Sequence, residues 1–223
     1  PIKAVMLGSN LNEGRYLMPF AMPVPNAPHS SPADLKEWVI ANYQNATSGL
    51  PANAYQLILD EYSNDLVRVG AWETAAMIYT ESQYLCPTER SAQWLSVPEI
   101  AARSVYKYEL TYAPHLLNEI GEVVYWTQWC KWYIPCKNIT AESIGVGHTA
   151  DIYLLFNNKH LNATDKIVAR KVNDYWQNFV SELNPSQTHT NAGANRARGR
   201  LGAVDRWATS SNTEPVWPPF APD

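Results

Sequence analysis

The sequence is poor in cysteine, holds no long apolar run and carries no excess of positive charge. No stretch approaches the length of a membrane-spanning helix, so no such span is expected. A formal charge of −4 and an isoelectric point near 5.7 give no electrostatic reason to expect nucleic acid or an anionic membrane surface as a partner. No glycine-rich phosphate loop follows a strand, which leaves a nucleotide site unsupported. His29, His115, His148, His160 and His189 show no pairing with one another or with cysteine at ligand spacing, so neither a metal site nor any other cofactor is expected. No internal repeat is evident. The chain begins at Pro1 with neither an initiator methionine nor a signal sequence, and reads as a processed or truncated product.

What is present describes a globular chain: 223 residues, 46% of them hydrophobic, long enough to bury a core as one domain, or part of a larger one, over residues 1–223. Cys130 and Cys136 are close enough in sequence to close a small loop as a disulfide. Cys86 is left odd, which points either to a partner the chain lacks or to a buried free thiol. Asn45-Ala46-Thr47, Asn138-Ile139-Thr140 and Asn162-Ala163-Thr164 are N-glycosylation sequons, and with them comes the expectation of a secreted or secretory-pathway glycoprotein.

Ile2 to Leu7 is mostly apolar and stops at Gly8, the pattern of a strand buried in a parallel sheet. A Pro-rich connector from Pro19 to Pro28 follows. Ser31-Pro32-Ala33-Asp34 is a helix start, with a serine cap, proline at the first helical position and an acid at the positive end of the dipole. Leu35, Trp38, Val39 and Ile40 supply its buried face. A second helix starts at Pro51, and a third runs from Trp72 to Tyr84 before Cys86-Pro87. Arg90 to Arg103 is helical with a break at Pro98. Val105 to Thr111 alternates, placing Tyr106, Tyr108, Leu110 and Tyr112 on one face and Val105, Lys107, Glu109 and Thr111 on a wetter one. Trp126, Trp129 and Trp132 fall at helical spacing, either as core or as a platform for carbohydrate or acyl chains. The longest helix begins near Thr164, with Val168, Val172, Tyr175, Trp176, Phe179 and Leu183 as its stripe, and ends at Asn184-Pro185. Residues 187–212 read as an exposed loop with four arginines.

Two residues organise this pattern. Glu13 lies in Gly8-Ser9-Asn10-Leu11-Asn12-Glu13-Gly14, just past the first strand, where open α/β sheets gather their ligands and catalytic groups. His148 lies in Gly145-Val146-Gly147-His148-Thr149-Ala150-Asp151 and opens a helix. An acid followed at long range by a histidine is the second part of a Ser-Glu-His triad in α/β-hydrolase order. Taken singly, Glu13 is a loop carboxylate capping backbone N–H groups and His148 a helix-start histidine bonded to a carbonyl.

Met6 to Gly14, Cys86-Pro87-Thr88, Val105 to Glu109, Gly147 to Ile152, Asp174 to Phe179, Asn184-Pro185 and Thr213 to Phe220 follow one another along the chain. These landmarks, in this order, resemble the cholinesterase and type-B carboxylesterase family. The resemblance implies that Glu13 is the triad acid and His148 the base, acting with a serine nucleophile on a carboxylic ester. The family's G-x-S-x-G elbow and glycine-rich oxyanion loop have no counterpart among the 223 residues. The expectation is therefore the C-terminal portion of an α/β-hydrolase fold, mostly helical with few strands. It needs an N-terminal partner segment to complete the sheet and carry the serine, and it is inactive alone. The alternative is a non-catalytic, cholinesterase-like adhesion or scaffold protein. The family commonly has glutamate three residues after the histidine, where this chain has Asp151, and in cholinesterases the cysteine matching Cys86 pairs with one near the C-terminus.

Overall fold

The computed structural model describes residues 3–21 (the backbone alone for 19–21), 30–44, 50–97, 104–115, 145–156 and 159–186. Asn45, Asn138, Cys130, Cys136, the three tryptophans at 126, 129 and 132 and the expected loop 187–212 lie outside the described residues.

Val5–Asn10 forms strand β1 and Val105–Leu110 forms β2. They pair with each other in parallel over all six positions, from Val5 opposite Val105 to Asn10 opposite Leu110. The alternation expected for β2 is present: Tyr106 and Leu110 are buried while Lys107 and Glu109 face solvent. Val105 departs from it and is buried opposite Val5, at the end of the ladder where the Val5 N–H donates to the Ser104 carbonyl at 2.9 Å. The first strand extends past Gly8 to Asn10, so Glu13 stands three residues beyond its carboxyl end rather than five.

Glu13–Ala21 is helix α1, a segment the sequence reading divides between a loop and the Pro-rich connector. Pro32–Tyr43 is α2. Its start is the expected one: the Asp34 N–H donates to Ser31 Oγ at 3.2 Å and the Ser31 N–H donates back to Asp34 Oδ2 at 2.6 Å, a reciprocal cap worth about 1 kcal/mol. Leu35, Trp38, Val39 and Tyr43 are its buried face, with Tyr43 in the place expected for Ile40. Ala54–Glu61 (α3), Ser63–Val69 (α4) and Ala71–Thr80 (α5) follow.

The third expected helix does not stop before Cys86-Pro87. A π turn, Glu81–Leu85, continues α5 and leads directly into α6, Cys86–Leu95. The Cys86 N–H donates to the Glu81 carbonyl, and Pro87 sits in the first turn of α6, directly after the π turn. Cys86 itself is exposed and free, which rules out the buried thiol, one of the two readings of this cysteine. Ala150–Phe156 is α7, two residues later than the expected start at His148. Ala163–Glu182 is α8, capped by Asn162 and not Thr164: the Asp165 N–H donates to Asn162 Oδ1 at 2.8 Å.

Two apolar clusters hold these elements. Met18, Leu35, Trp38, Val39, Ala75 and Ile78 are among the residues that join α1, α2 and α5. Leu110, Val146, Ala150, Leu154, Leu161 and Ala169 join the end of β2 to the histidine loop, α7 and α8. Each buried Leu, Ile, Val or Met contributes about 1.5–3 kcal/mol. The expected stripe of α8 is only half-buried, with Leu183 outside it. Phe179 and Trp176 lie edge-on to Tyr106 and Tyr108 of β2, at 6.1 and 6.2 Å between ring centroids. No helix among the described residues is long and apolar enough to cross a membrane.

Candidate active site

The segment leaving β1 is held by backbone bonds to both neighbouring loops. The Leu11 N–H donates to the Leu110 carbonyl at 2.9 Å and the Asn12 N–H to the Val146 carbonyl at 3.1 Å. Asn12 Oδ1 accepts the Val146 N–H in return, also at 3.1 Å. Two neighbours on the loop thus fasten it to β2 and to the histidine segment, 134 residues away.

These ties carry Glu13 to His148. Glu13 Oε2 lies 2.7 Å from His148 Nδ1, and Oε1 accepts the Asn10 N–H at 2.8 Å. The carboxylate side chain is 6% exposed and the imidazole 37%. A buried carboxylate that has given up water is a strong acceptor for an imidazole N–H. With Nδ1 engaged, Nε2 faces away, and among the described residues no hydrogen bond occupies it.

The hydrogen bond from Glu13 is the largest influence on His148 and raises its pKa above the ordinary 6.5. Partial burial opposes it, and the charges of Glu13 and Asp151 add to the upward shift. Behind the histidine, Asn10 Nδ2 donates to the Gly147 carbonyl at 3.2 Å and to Asp151 Oδ1 at 3.4 Å. The Tyr108 hydroxyl donates to Asp151 Oδ2 at 3.2 Å. Burial first, then the charge and hydrogen bond of Asp151, push the Tyr108 phenol up, so it stays a neutral donor. The ring of Tyr84, from the π turn, lies 5.2 Å from the imidazole and is inclined to it by 51°.

The structure therefore brings together the two residues singled out in the sequence, over a separation of 135 positions. Neither single-residue alternative describes them alone: Glu13 does cap a backbone N–H, but its other oxygen serves the histidine, and His148 bonds that carboxylate and not a carbonyl. Asn10, Tyr84 and Tyr108 were not legible as site residues. The first had a signal, since Asn10 and Asn12 alternate through the acid-bearing loop. Of the sequons, Asn162 is exposed, with its Oδ1 engaged in the α8 cap. No group of three His, Cys, Asp or Glu side chains among the described residues is placed to hold a metal ion. A separate groove of about 410 Å³, lined by Ser82, Cys86, Pro87, Arg90, Ser91 and Trp94, includes neither Glu13 nor His148.

No curated protein matches the chain. A family model does, that of the carboxylesterase family, over residues 2–223. This extent corrects the sequence reading. The resemblance is not confined to a C-terminal half, and the expectation of a partial fold completed by an N-terminal segment is withdrawn. So are the hydrolase inactive by itself and the partner chain carrying the nucleophile. Those expectations arose from counting two strands as too few and from the missing elbow motif. The two strands instead pair fully with each other, and the described residues are mostly helical, consistent with an α/β-hydrolase-like fold. With a match over residues 2–223, the chain belongs to the carboxylesterase family.

Proposed function

We propose that the chain is a carboxylic-ester hydrolase in which Glu13 orients His148 and stabilises its protonated form. The observation that carries this is the 2.7 Å contact between Glu13 Oε2 and His148 Nδ1, made by a buried carboxylate. With Nδ1–H donated to Glu13, the neutral imidazole presents a basic Nε2. That nitrogen takes the proton of the attacking hydroxyl as its oxygen adds to the ester carbonyl and gives it to the departing alcohol oxygen; the acyl group, now on the attacking oxygen, leaves as the acid when water, deprotonated by the same nitrogen, adds to it. The Glu13 carboxylate balances the transient imidazolium charge. Family membership over residues 2–223 supports the ester as substrate class.

The test is hydrolysis of a chromogenic acyl ester by the chain and by its Glu13→Gln and His148→Asn variants, with a fluorophosphonate probe in parallel. Loss of hydrolysis in both variants is expected. Hydrolysis at the same rate in His148→Asn, or none above buffer in the parent chain, overturns the assignment.

A secretory route is part of the same proposal. Asn162 supports it, since it is exposed and its cap engages only Oδ1, leaving Nδ2 for a glycan. A mobility shift on endoglycosidase treatment of the secreted chain, abolished in Asn162→Gln, is the check.

A further inference from the structure

The π turn at Glu81–Leu85 is the one irregular stretch in the helical run from Ala71 to Leu95. Insertions of this kind concentrate at functional sites, because one added residue rotates everything beyond it by about 100° around the helix axis. Here the added residue coincides with the segment that reaches His148. The turn is fastened by two phenols from elsewhere in the chain. The Tyr43 hydroxyl, at the end of α2, lies 2.7 Å from Ser82 Oγ, and the Tyr62 hydroxyl, between α3 and α4, donates to Glu81 Oε2. Tyr79 packs on Tyr84 at 6.3 Å between ring centroids. One turn further back, the Gly14 N–H donates to Thr80 Oγ1 at 2.9 Å, which ties the same run to the residue after the acid.

We propose that Tyr84 is a positioning residue for His148: presented by the π turn and clamped through Ser82 and Glu81, its ring confines the imidazole to the orientation that meets Glu13. The inference rests on the reading of His148 as the base. A single hydrogen bond at Nδ1 fixes one atom of the imidazole and leaves the ring free to tilt about it. A packed aromatic ring 5.2 Å away removes that freedom. The same contact brings π-electron density close to the imidazolium formed during turnover. The charged groups facing His148 are Glu13 from the start of α1 and Asp151 from α7, both acidic. Tyr84 is an uncharged ring against the same imidazole, its own phenol held neutral by burial first and then by Tyr79 and Glu13.

The experiment is a pH titration of His148 by NMR on the full chain labelled with ¹⁵N-histidine, comparing the parent with Tyr84→Phe, Tyr84→Met and Tyr84→Leu, each checked for fold by circular dichroism. Phe keeps the ring and is expected to titrate with the parent. Met and Leu remove it, and the midpoint is expected to fall by about 0.4–0.7 pH unit, the size of one cation–π contact. The single Nδ1–H tautomer should give way to a mixture. In ester hydrolysis, kcat is expected to fall about tenfold with KM unchanged. An unchanged midpoint and tautomer in whichever of Met or Leu folds, or a Phe variant as altered as these, overturns the proposal. The titration needs no turnover. A chain that hydrolyses no ester would refute the proposed function and leave this result standing by itself.

Discussion

Gly14 lies directly against the carbonyl of Ala76: a Cβ at position 14 would stand 2.2 Å from that oxygen and 3.0 Å from Thr80 Oγ1. This close approach lets α1 begin against α5, with Glu13 as its first residue. The obstacle is backbone and not a flexible side chain, so Gly14→Ala has to separate the two helices. The expected cost is about 1–3 kcal/mol, read as a lower urea midpoint. The imidazole resonances of His148 should move in the same variant, because the displaced residue adjoins Glu13.

The second prediction concerns pH. Folding raises the His148 pKa above 6.5, chiefly through the Glu13 hydrogen bond. The stability this pairing contributes is present in full below the unfolded value and is lost as pH rises through the folded one. Catalysis has the opposite sign, because the base must be neutral. The kcat/KM of ester hydrolysis is expected to rise with pH through a midpoint above 6.5. In Glu13→Gln the main upward influence is gone and burial remains, so the NMR midpoint should fall. The rate should drop by about 10²–10⁴-fold, because the tautomer is no longer fixed.

Gly145 makes a third case. Its φ of +58° is one that glycine adopts freely, and a Cβ there would meet Asn12 Oδ1 at 2.6 Å and Arg15 Nη1 at 2.8 Å. Both are ends of side chains that have work elsewhere: Asn12 accepts the Val146 N–H, and Arg15 pairs with Glu73 at 2.5 Å. Gly145→Ala is expected to cost about 1–2 kcal/mol in chemical denaturation. Its ester hydrolysis should fall further than stability alone accounts for, since His148 is three residues on.

Asp165 is fully buried and accepts from the Tyr112 hydroxyl at 2.7 Å, the His115 N–H at 3.0 Å and the Asn162 N–H at 3.2 Å. It is at once the partner of Asn162 in the cap of α8 and the anchor of the chain leaving β2. Asp165→Ala strands those donors, with an expected loss of about 2–4 kcal/mol in thermal unfolding. Asp165→Asn, which keeps an acceptor, should lose less.

Much of this was legible where the signal is local. The cap at Ser31 and Asp34 is a four-residue pattern with its own physics, and it formed as written. The alternation of β2 needs only the pleat. Continuity through Cys86-Pro87 was not legible: proline suggests a stop, yet in the first turn of a helix it is tolerated, and only the preceding π turn decides between the two. Helix α1 was hidden for a similar reason, because Pro19 falls within it and reads as the start of a connector. Asn162 displaced Thr164 as a cap because its partner, Asp165, also answers to Tyr112 and His115 on another segment. The pairing of Glu13 with His148 could be anticipated from family order. The neighbours that refine it, Tyr84, Asn10 and Tyr108, are set by how helices and strands dock.

The 135-position span between Glu13 and His148 has a kinetic corollary. Closing so large a loop is entropically slow, and contacts of high sequence separation form late on the way to the native state. Helix caps and the α2–α5 packing need no such closure. During refolding from urea, helical ellipticity should therefore recover before the downfield Nδ1 proton of the imidazole, making that proton a clock for the final consolidation of the molecule.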